Sequence, residues 1–130
     1  MTSHVIVERL EVRGDRRGWV VEPVGLETLP MSRNTHAALT EPGCVRGNHY
    51  HRQGTEVLAV VGPALFRYRE GGELRDVEVP EGEAFRFTVP PGVGHAIRNP
   101  GPRPMFLIAF NTVAHDPARP DVVRDVLIEG

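Results

Sequence analysis

The stretch Gly47-Asn48-His49-Tyr50-His51, followed by Glu56 and later by Pro90-Pro91-Gly92-Val93-Gly94-His95, decides how this chain is read. Two histidines at i and i+2 of a β-strand point to one face, roughly 6.6 Å apart along the chain. A carboxylate five residues past the second histidine can turn back to meet them. The third histidine comes from a separate strand. Three imidazoles and one carboxylate converging from two hairpins make a site for one divalent transition metal, with zinc, iron, manganese and nickel all admissible. A lone strand histidine is ordinarily a core or surface residue, and two at this spacing can arise by chance in a chain with six. Glu56 weighs against chance. It opens the apolar run 56–61 on the parity of Leu58 and Val60, where an unpaired inward carboxylate would cost several kcal/mol. His95 shares the parity of Ile97 and Asn99, so it is expected to face the same interior.

The surrounding sequence reads as strands. The 14 Gly and 12 Pro punctuate the chain every ten residues or so, and short runs rich in Val, Phe, Leu and Thr lie between them. Strands are expected near 5–9, 18–22, 34–40, 47–51, 56–61, 64–69, 74–79, 84–89, 95–99 and 106–111. This pattern means an all-β barrel or sandwich. Gly71-Gly72 is a two-residue hairpin turn, and Asp116-Pro117 could start one short helical turn. Phe66 and Tyr68 alternate with Arg67 and Arg69, as Phe85, Phe87 and Val89 do with Arg86 and Thr88, so these strands have one wet face. The runs 57–61 and 106–110 are apolar on both faces. The row Val57, Ala59 and Val61 therefore needs cover, from a second sheet or from a partner subunit, and a homodimer is expected.

Composition excludes several classes. At 130 residues the chain is expected to be a single domain, with its core at about 34–112, N-terminal strands within 5–22 and a tail at 113–130. The net charge of −2 gives no electrostatic case for nucleic acid or an anionic membrane. All 15 basic residues are Arg, which excludes a lysine Schiff base or a lysine general base. The single cysteine, Cys44, excludes an internal disulfide and fits a reducing cytoplasm. Cys44 itself is expected to be a small buried residue. No apolar run approaches the ~20 residues of a membrane span, and the N-terminus lacks the shape of a signal peptide.

Gly43-x5-His49-x-His51-x4-Glu56-x5-Gly62 and Gly82-x7-Pro90-x-Gly92-x2-His95-x3-Asn99 resemble the two cupin motifs, departing from the usual pattern only in turn lengths. The resemblance implies a double-stranded β-helix, or jelly roll, with the metal in the barrel mouth. Asp15-Arg16-Arg17-Gly18-Trp19, Arg46-Gly47-Asn48-His49-Tyr50-His51 and Asp116-Pro117-x2-Pro120-Asp121 are similar to sugar-nucleotide cupins, in particular the C-terminal cupin domain of the bifunctional capsular-polysaccharide epimerase/reductases. That likeness implies a zinc epimerase of a nucleotide-linked 4-keto sugar. It would make His49, His51, Glu56 and His95 the metal ligands, and Arg46 a diphosphate contact. The reductase domain of that family is not in this sequence, so the cupin is expected to stand alone or pair with a separate enzyme.

Other residues are weighed individually. Arg46 has the opposite parity to His49, so it needs a bulge to reach the pocket; otherwise it is a surface Arg. Tyr68 could protonate an enolate, although a core Tyr is the commoner case. His36, on the strand before the motif, is a candidate general base. Asn99 is expected to organise a turn, and His4 and His115 to lie on the surface. Three functions stay open. One is a metal-dependent epimerase or isomerase of a nucleotide-linked 4-keto-6-deoxy sugar. A second is an Fe(II)-dependent dioxygenase of a small molecule, which the same ligand set would suit. The third is a non-catalytic binding module.

Overall fold

A computed structural model describes residues 4–130. Two five-stranded antiparallel sheets face each other. Sheet one takes the order β1 (Ile6–Leu10), β9 (Ala84–Val89), β6 (Glu56–Val61), β11 (Met105–Asn111), β4 (Asn34–Thr40). Sheet two runs β12 (Val122–Arg124), β5 (Val45–His51), β10 (His95–Arg98), β7 (Ala64–Glu70), β8 (Glu73–Val79). A separate hairpin joins β2 (Arg13–Asp15) to β3 (Gly18–Val20). All ten expected strands form, with ends shifted by at most a few residues. Two were not expected, β2 and β12, each three residues long.

Alternation is the reason these strands face each other. Leu58 and Val60, Phe66 and Tyr68, Phe87 and Val89, Leu107 and Ala109 all point between the sheets, joined by Ile97. The rings of Phe66 and Phe87 stack across the interior at 4.0 Å, and both are fully buried. Each contributes roughly 1.5–3 kcal/mol by leaving water. Gly71 and Gly72 form the expected tight turn, with φ of 59° and 79°, the left-handed pair that a two-residue hairpin requires. Asn99 organises a turn as expected: its amide donates to the carbonyls of Thr40 and Arg103 and accepts from the Gly101 N–H.

Three expectations are corrected. Val57, Ala59 and Val61 are 7, 3 and 9% exposed within the single chain, so this row needs no partner to bury it. Cover comes from the N-terminal segment rather than from the second sheet. Arg86 of β9 donates to the Pro23 carbonyl at 3.4 Å, and Trp19 packs 6.2 Å from Phe106. The same segment dries the Arg86 face of β9, where Arg86 pairs with Glu8 at 3.0 Å. Cys44 is exposed rather than buried, because it lies in the turn before β5. The Asp116 carboxylate accepts from the Ala118 N–H at 2.9 Å, and Arg119 N–H bonds the Asp116 carbonyl. Asp116 thus caps one short turn, as expected, and no helix follows it. A short 3-10 helix, Leu29–Met31, was not anticipated.

The C-terminal tail docks on the outer face of sheet two. Leu127 and Ile128 are buried with Ala96 and Val45. Asn48 anchors them, its side chain accepting from the Leu127 and Ile128 N–H groups and donating to the Ile128 carbonyl. Among the described residues no helix is long and apolar enough to cross a membrane.

Candidate metal centre

Four donors meet at one end of the sandwich. His49 and His51 come from β5 and His95 from β10, directly opposite His49, while Glu56 comes from β6 in the other sheet. Their ligand atoms lie within 4.8 Å of one another. The His49 ring stands edge-on to both others, 5.1 Å from His51 and 4.9 Å from His95. His51, Glu56 and His95 are buried. Glu56 Oε1 is 2.9 Å from His95 Nε2 and 3.5 Å from His51 Nε2.

A β-bulge sets this geometry. Across β5 and β10 the register runs His49↔His95 and then Gly47↔Ala96, which leaves Asn48 as the extra residue. Gly47 and Asn48 take φ of 86° and 58°, values that Gly reaches freely and Asn better than most. The extra residue restores Arg46 to the inward face, opposite Ile97. Sequence parity alone put Arg46 outside; the bulge brings it to the cavity wall. Its guanidinium donates to Thr40 Oγ1 at 2.8 Å and to the Leu39 carbonyl at 2.9 Å.

The residues fit a metal ion. His95 Nδ1 lies 3.0 Å from the Val93 carbonyl, which can only accept, so Nδ1 carries the proton and Nε2 turns its lone pair into the cluster. His51 Nδ1 faces Asp121 Oδ2 at 3.5 Å, leaving its Nε2 aimed inward, buried and without a hydrogen-bond partner. Burial, reinforced by the neighbouring His95, depresses His49 to about 4 and keeps its imidazole neutral. Burial by itself would raise Glu56, yet the imidazoles of His51 and His95 outweigh it and hold the carboxyl well below the usual range. Burial likewise opposes protonation of His51, but the carboxylates of Glu56 and Asp121 prevail and raise it. A neutral His49 imidazole, an anionic carboxylate and an orphaned ring nitrogen converging on one point are the donor set a divalent metal site requires.

A cavity of about 530 Å³ opens from the cluster. Leu58, Phe66, Ile97 and Leu107 make its apolar wall; Asn34, His36, Arg46 and Asn111 supply polar groups. His36 reaches the cavity from β4, as expected, close enough for its charge to act on His49. Tyr68 does not line it. The ring is 8% exposed in the core, 6.0 Å from Phe66. His115 is exposed as expected, but it also lines the cavity, with Asp116, Pro120 and Asp121 of the tail. Sequence reasoning passed over Asn34, Asn111, His115 and Asp121. Asn34 and Asn111 carried a signal, since they share parity with His36 and with Ala109. Asp121 stood in the tail motif Asp116-Pro117-x2-Pro120-Asp121, but neither it nor His115 carried a periodicity that would place it at the cavity before the pairing of β12 with β5 is known. Asp121 accepts from the Gln53 and Gly54 N–H groups and so holds the turn between His51 and Glu56.

Comparison with known proteins places the fold. The model of the family described as "Polysaccharide biosynthesis C-terminal domain" matches residues 13–123. The spore coat polysaccharide biosynthesis protein SpsL of Bacillus subtilis is 28% identical over 134 residues, covering 95% of this chain and 89% of that protein. The capsular polysaccharide assembling protein CapF of Staphylococcus aureus is 26% identical with a TM-score of 0.68; the match covers 91% of this chain and 33% of CapF, so the chain spans about a third of that protein. The 3,4-ketoisomerase QdtA of Thermoanaerobacterium thermosaccharolyticum, in a double mutant bound to TDP, superposes with a TM-score of 0.72 at 19% identity over 96% of this chain and 90% of that one. QdtA has also been crystallised with TDP-4-keto-6-deoxyglucose. The fold is thus the cupin-like sandwich that the two motifs implied.

Proposed function

The chain belongs to the polysaccharide biosynthesis C-terminal domain family, and from that membership we propose that it is a metal-dependent epimerase or isomerase of a nucleotide-linked 4-keto-6-deoxy sugar. The observation that carries this reading is the His49, His51, Glu56 and His95 quartet at the floor of a cavity with His36 and Arg46 on its walls. The quartet would hold one divalent metal, zinc by likeness to the capsular enzymes, and this ion would supply Lewis acidity that makes the proton beside the keto group easier to remove. His36 is the proposed base. It faces the cavity from the edge strand, is not needed as a ligand, and carries an imidazole, the side chain that most often serves as a general base. Arg46 is the proposed diphosphate contact, its guanidinium held at the rim by Thr40 and Leu39. The apolar wall of Leu58, Phe66 and Ile97 excludes water from the reacting face.

The reading includes a single cupin domain working in the cytoplasm as a homodimer. The exposed Trp19, Leu39 and Phe106, which adjoin one another, are the surface we propose for that contact. The deciding experiment is incubation of the zinc-loaded protein with a UDP- or TDP-linked 4-keto-6-deoxy sugar in D2O without oxygen. Enzyme-dependent deuterium uptake beside the keto group supports the reading. No exchange with any such sugar, together with oxygen consumption on another substrate, would hand the site to dioxygenase chemistry.

A further inference from the structure

Among the described residues only two buried side-chain polar atoms lack a hydrogen-bond partner, His51 Nε2 and Asn111 Oδ1. Both belong to residues lining the same cavity. The metal quartet accounts for the first. Nothing in the quartet accounts for the second.

Asn111 ends β11. It is paired with Glu56 of β6 on one side and with Asn34 of β4 on the other. Glu56, Asn111 and Asn34 therefore form one transverse row across three neighbouring strands, and all three line the cavity. With strands ~4.8 Å apart, the row carries polar groups from the metal cluster to the sheet edge in two steps. The inward side chains before Asn111 on the same strand are Met105, Leu107 and Ala109, all apolar and buried. The unpaired amide oxygen of an asparagine in that series gains nothing for folding. It is 6% exposed with an unpaired oxygen, and burying such a group disfavours the folded chain. A leucine of similar size would continue the pattern.

We propose that Asn111 is a specificity-determining residue that hydrogen-bonds a ring hydroxyl of the sugar seated at the quartet. The proposal rests on the keto-sugar reading above. A sugar hydroxyl both donates and accepts, so it satisfies the amide in either orientation. A carbonyl or phosphate oxygen only accepts and would leave Oδ1 orphaned. The position one strand from Glu56 puts the contact on the ring rather than on the nucleotide, which Arg46 would hold from the rim.

The test compares wild type with Asn111→Leu and Asn111→Ala. Three quantities are measured: melting of the metal-free protein, zinc affinity, and calorimetric binding of UDP- and TDP-linked 4-keto-6-deoxyglucose and of UDP and TDP alone. Asn111→Leu should melt at or above wild type, because the orphan is gone, and bind zinc within about threefold of it. Its affinity for the sugar nucleotide should fall roughly tenfold to a hundredfold, with the bare nucleotide unaffected. Asn111→Ala should lose the sugar in the same way. Undiminished sugar binding in both variants overturns the proposal while leaving the enzyme reading intact. So does a parallel loss for the bare nucleotide, or loss of zinc, which would make Asn111 a ligand. A wild-type protein that holds zinc but binds neither sugar nucleotide overturns the keto-sugar reading itself, and this contact with it.

Discussion

Replacing Gly47 by alanine should damage fold and site together, and the two effects can be separated. Gly47 opens the bulge with φ of 86°. A Cβ built there would sit 2.9 Å from the His95 carbonyl oxygen and 3.2 Å from Ala96 Cα. Both are backbone atoms, so no rotamer change relieves the contact; β5 and β10 must part by a few tenths of an ångström. The left-handed backbone costs an alanine about 1–2 kcal/mol, and the forced separation adds roughly 1–3 kcal/mol by the usual cost of overpacking. Gly72 provides the control. Its φ is 79°, and a Cβ there meets nothing within 4 Å, so Gly72→Ala carries only the conformational part, about 1–2 kcal/mol. Denaturant unfolding of the metal-free proteins should place Gly47→Ala about 1–3 kcal/mol below Gly72→Ala. Because the struck atom belongs to a proposed ligand, zinc affinity should drop roughly tenfold or more in Gly47→Ala and stay unchanged in Gly72→Ala. Equal stabilities in the two variants would refute the steric account. A destabilised Gly47→Ala with wild-type zinc affinity would refute the link between the bulge and the site.

Three further outcomes are expected. Purified protein should carry one divalent metal per chain, and His51→Ala and His95→Ala should each lose most of it by elemental analysis, with Glu56→Gln holding it more weakly; full occupancy in both alanine variants would sink the ligand assignment. Metal-free protein should lose stability on acidification. His49 is depressed in the folded state to about 4, so its contribution is present above the unfolded value of ~6.5 and is lost as the pH falls toward 4. The loss is on the order of 2 kcal/mol after discounting for solvent screening. Glu56, also depressed, extends the loss below its unfolded value of ~4.3, while the raised His51 works in the opposite sense, its contribution being present below ~6.5 and fading as the pH rises. Unfolding measured from pH 7 to 4.5 should show a shallower decline in His49→Gln, and an identical decline would remove His49 as the source. His36→Asn should slow deuterium exchange by ~10²–10⁴-fold with zinc content intact; unchanged exchange would pass the assay to Tyr68→Phe.

The site was legible where chemistry and strand period coincide. His49 and His51 at i and i+2, an acidic residue opening an apolar strand, and a histidine on the parity of Ile97 all carry local signals, and the structure brings the four together. Arg46 shows the limit of such signals. Its parity pointed outward, and only the inserted Asn48 reverses it, a fact visible in the register with β10 and not in the residue alone. The Val57, Ala59 and Val61 row failed in a related way. Apolar residues on both faces say that cover is needed, but not that residues around Trp19 and Pro23 will supply it. β12 was missed because three residues paired to β5 have no periodicity to read; tertiary contact makes that strand. Cys44 was misplaced because small apolar character was weighed above its position in a Pro-Gly turn.

The quartet draws three side chains from sheet two and one from sheet one, so the proposed metal binding would be tied to the closure of the sandwich. Neither sheet alone holds a complete set. The turn that carries the chain from His51 to Glu56 is fixed by Asp121, which belongs to the C-terminal tail, and the bulge that aims His49 is fixed by Asn48, whose side chain holds that tail at Leu127 and Ile128. The tail thus reaches the site from both ends of β5. A metal that binds only the closed form stabilises it by mass action, and it relieves the one orphaned nitrogen that the ligand-free quartet leaves buried. The apolar end of the sandwich, around Val60, Ala64, Val79 and Met105, has no such need. This buried apolar packing lies away from the two unpaired polar atoms, which a bound metal and substrate would complete under the proposed function.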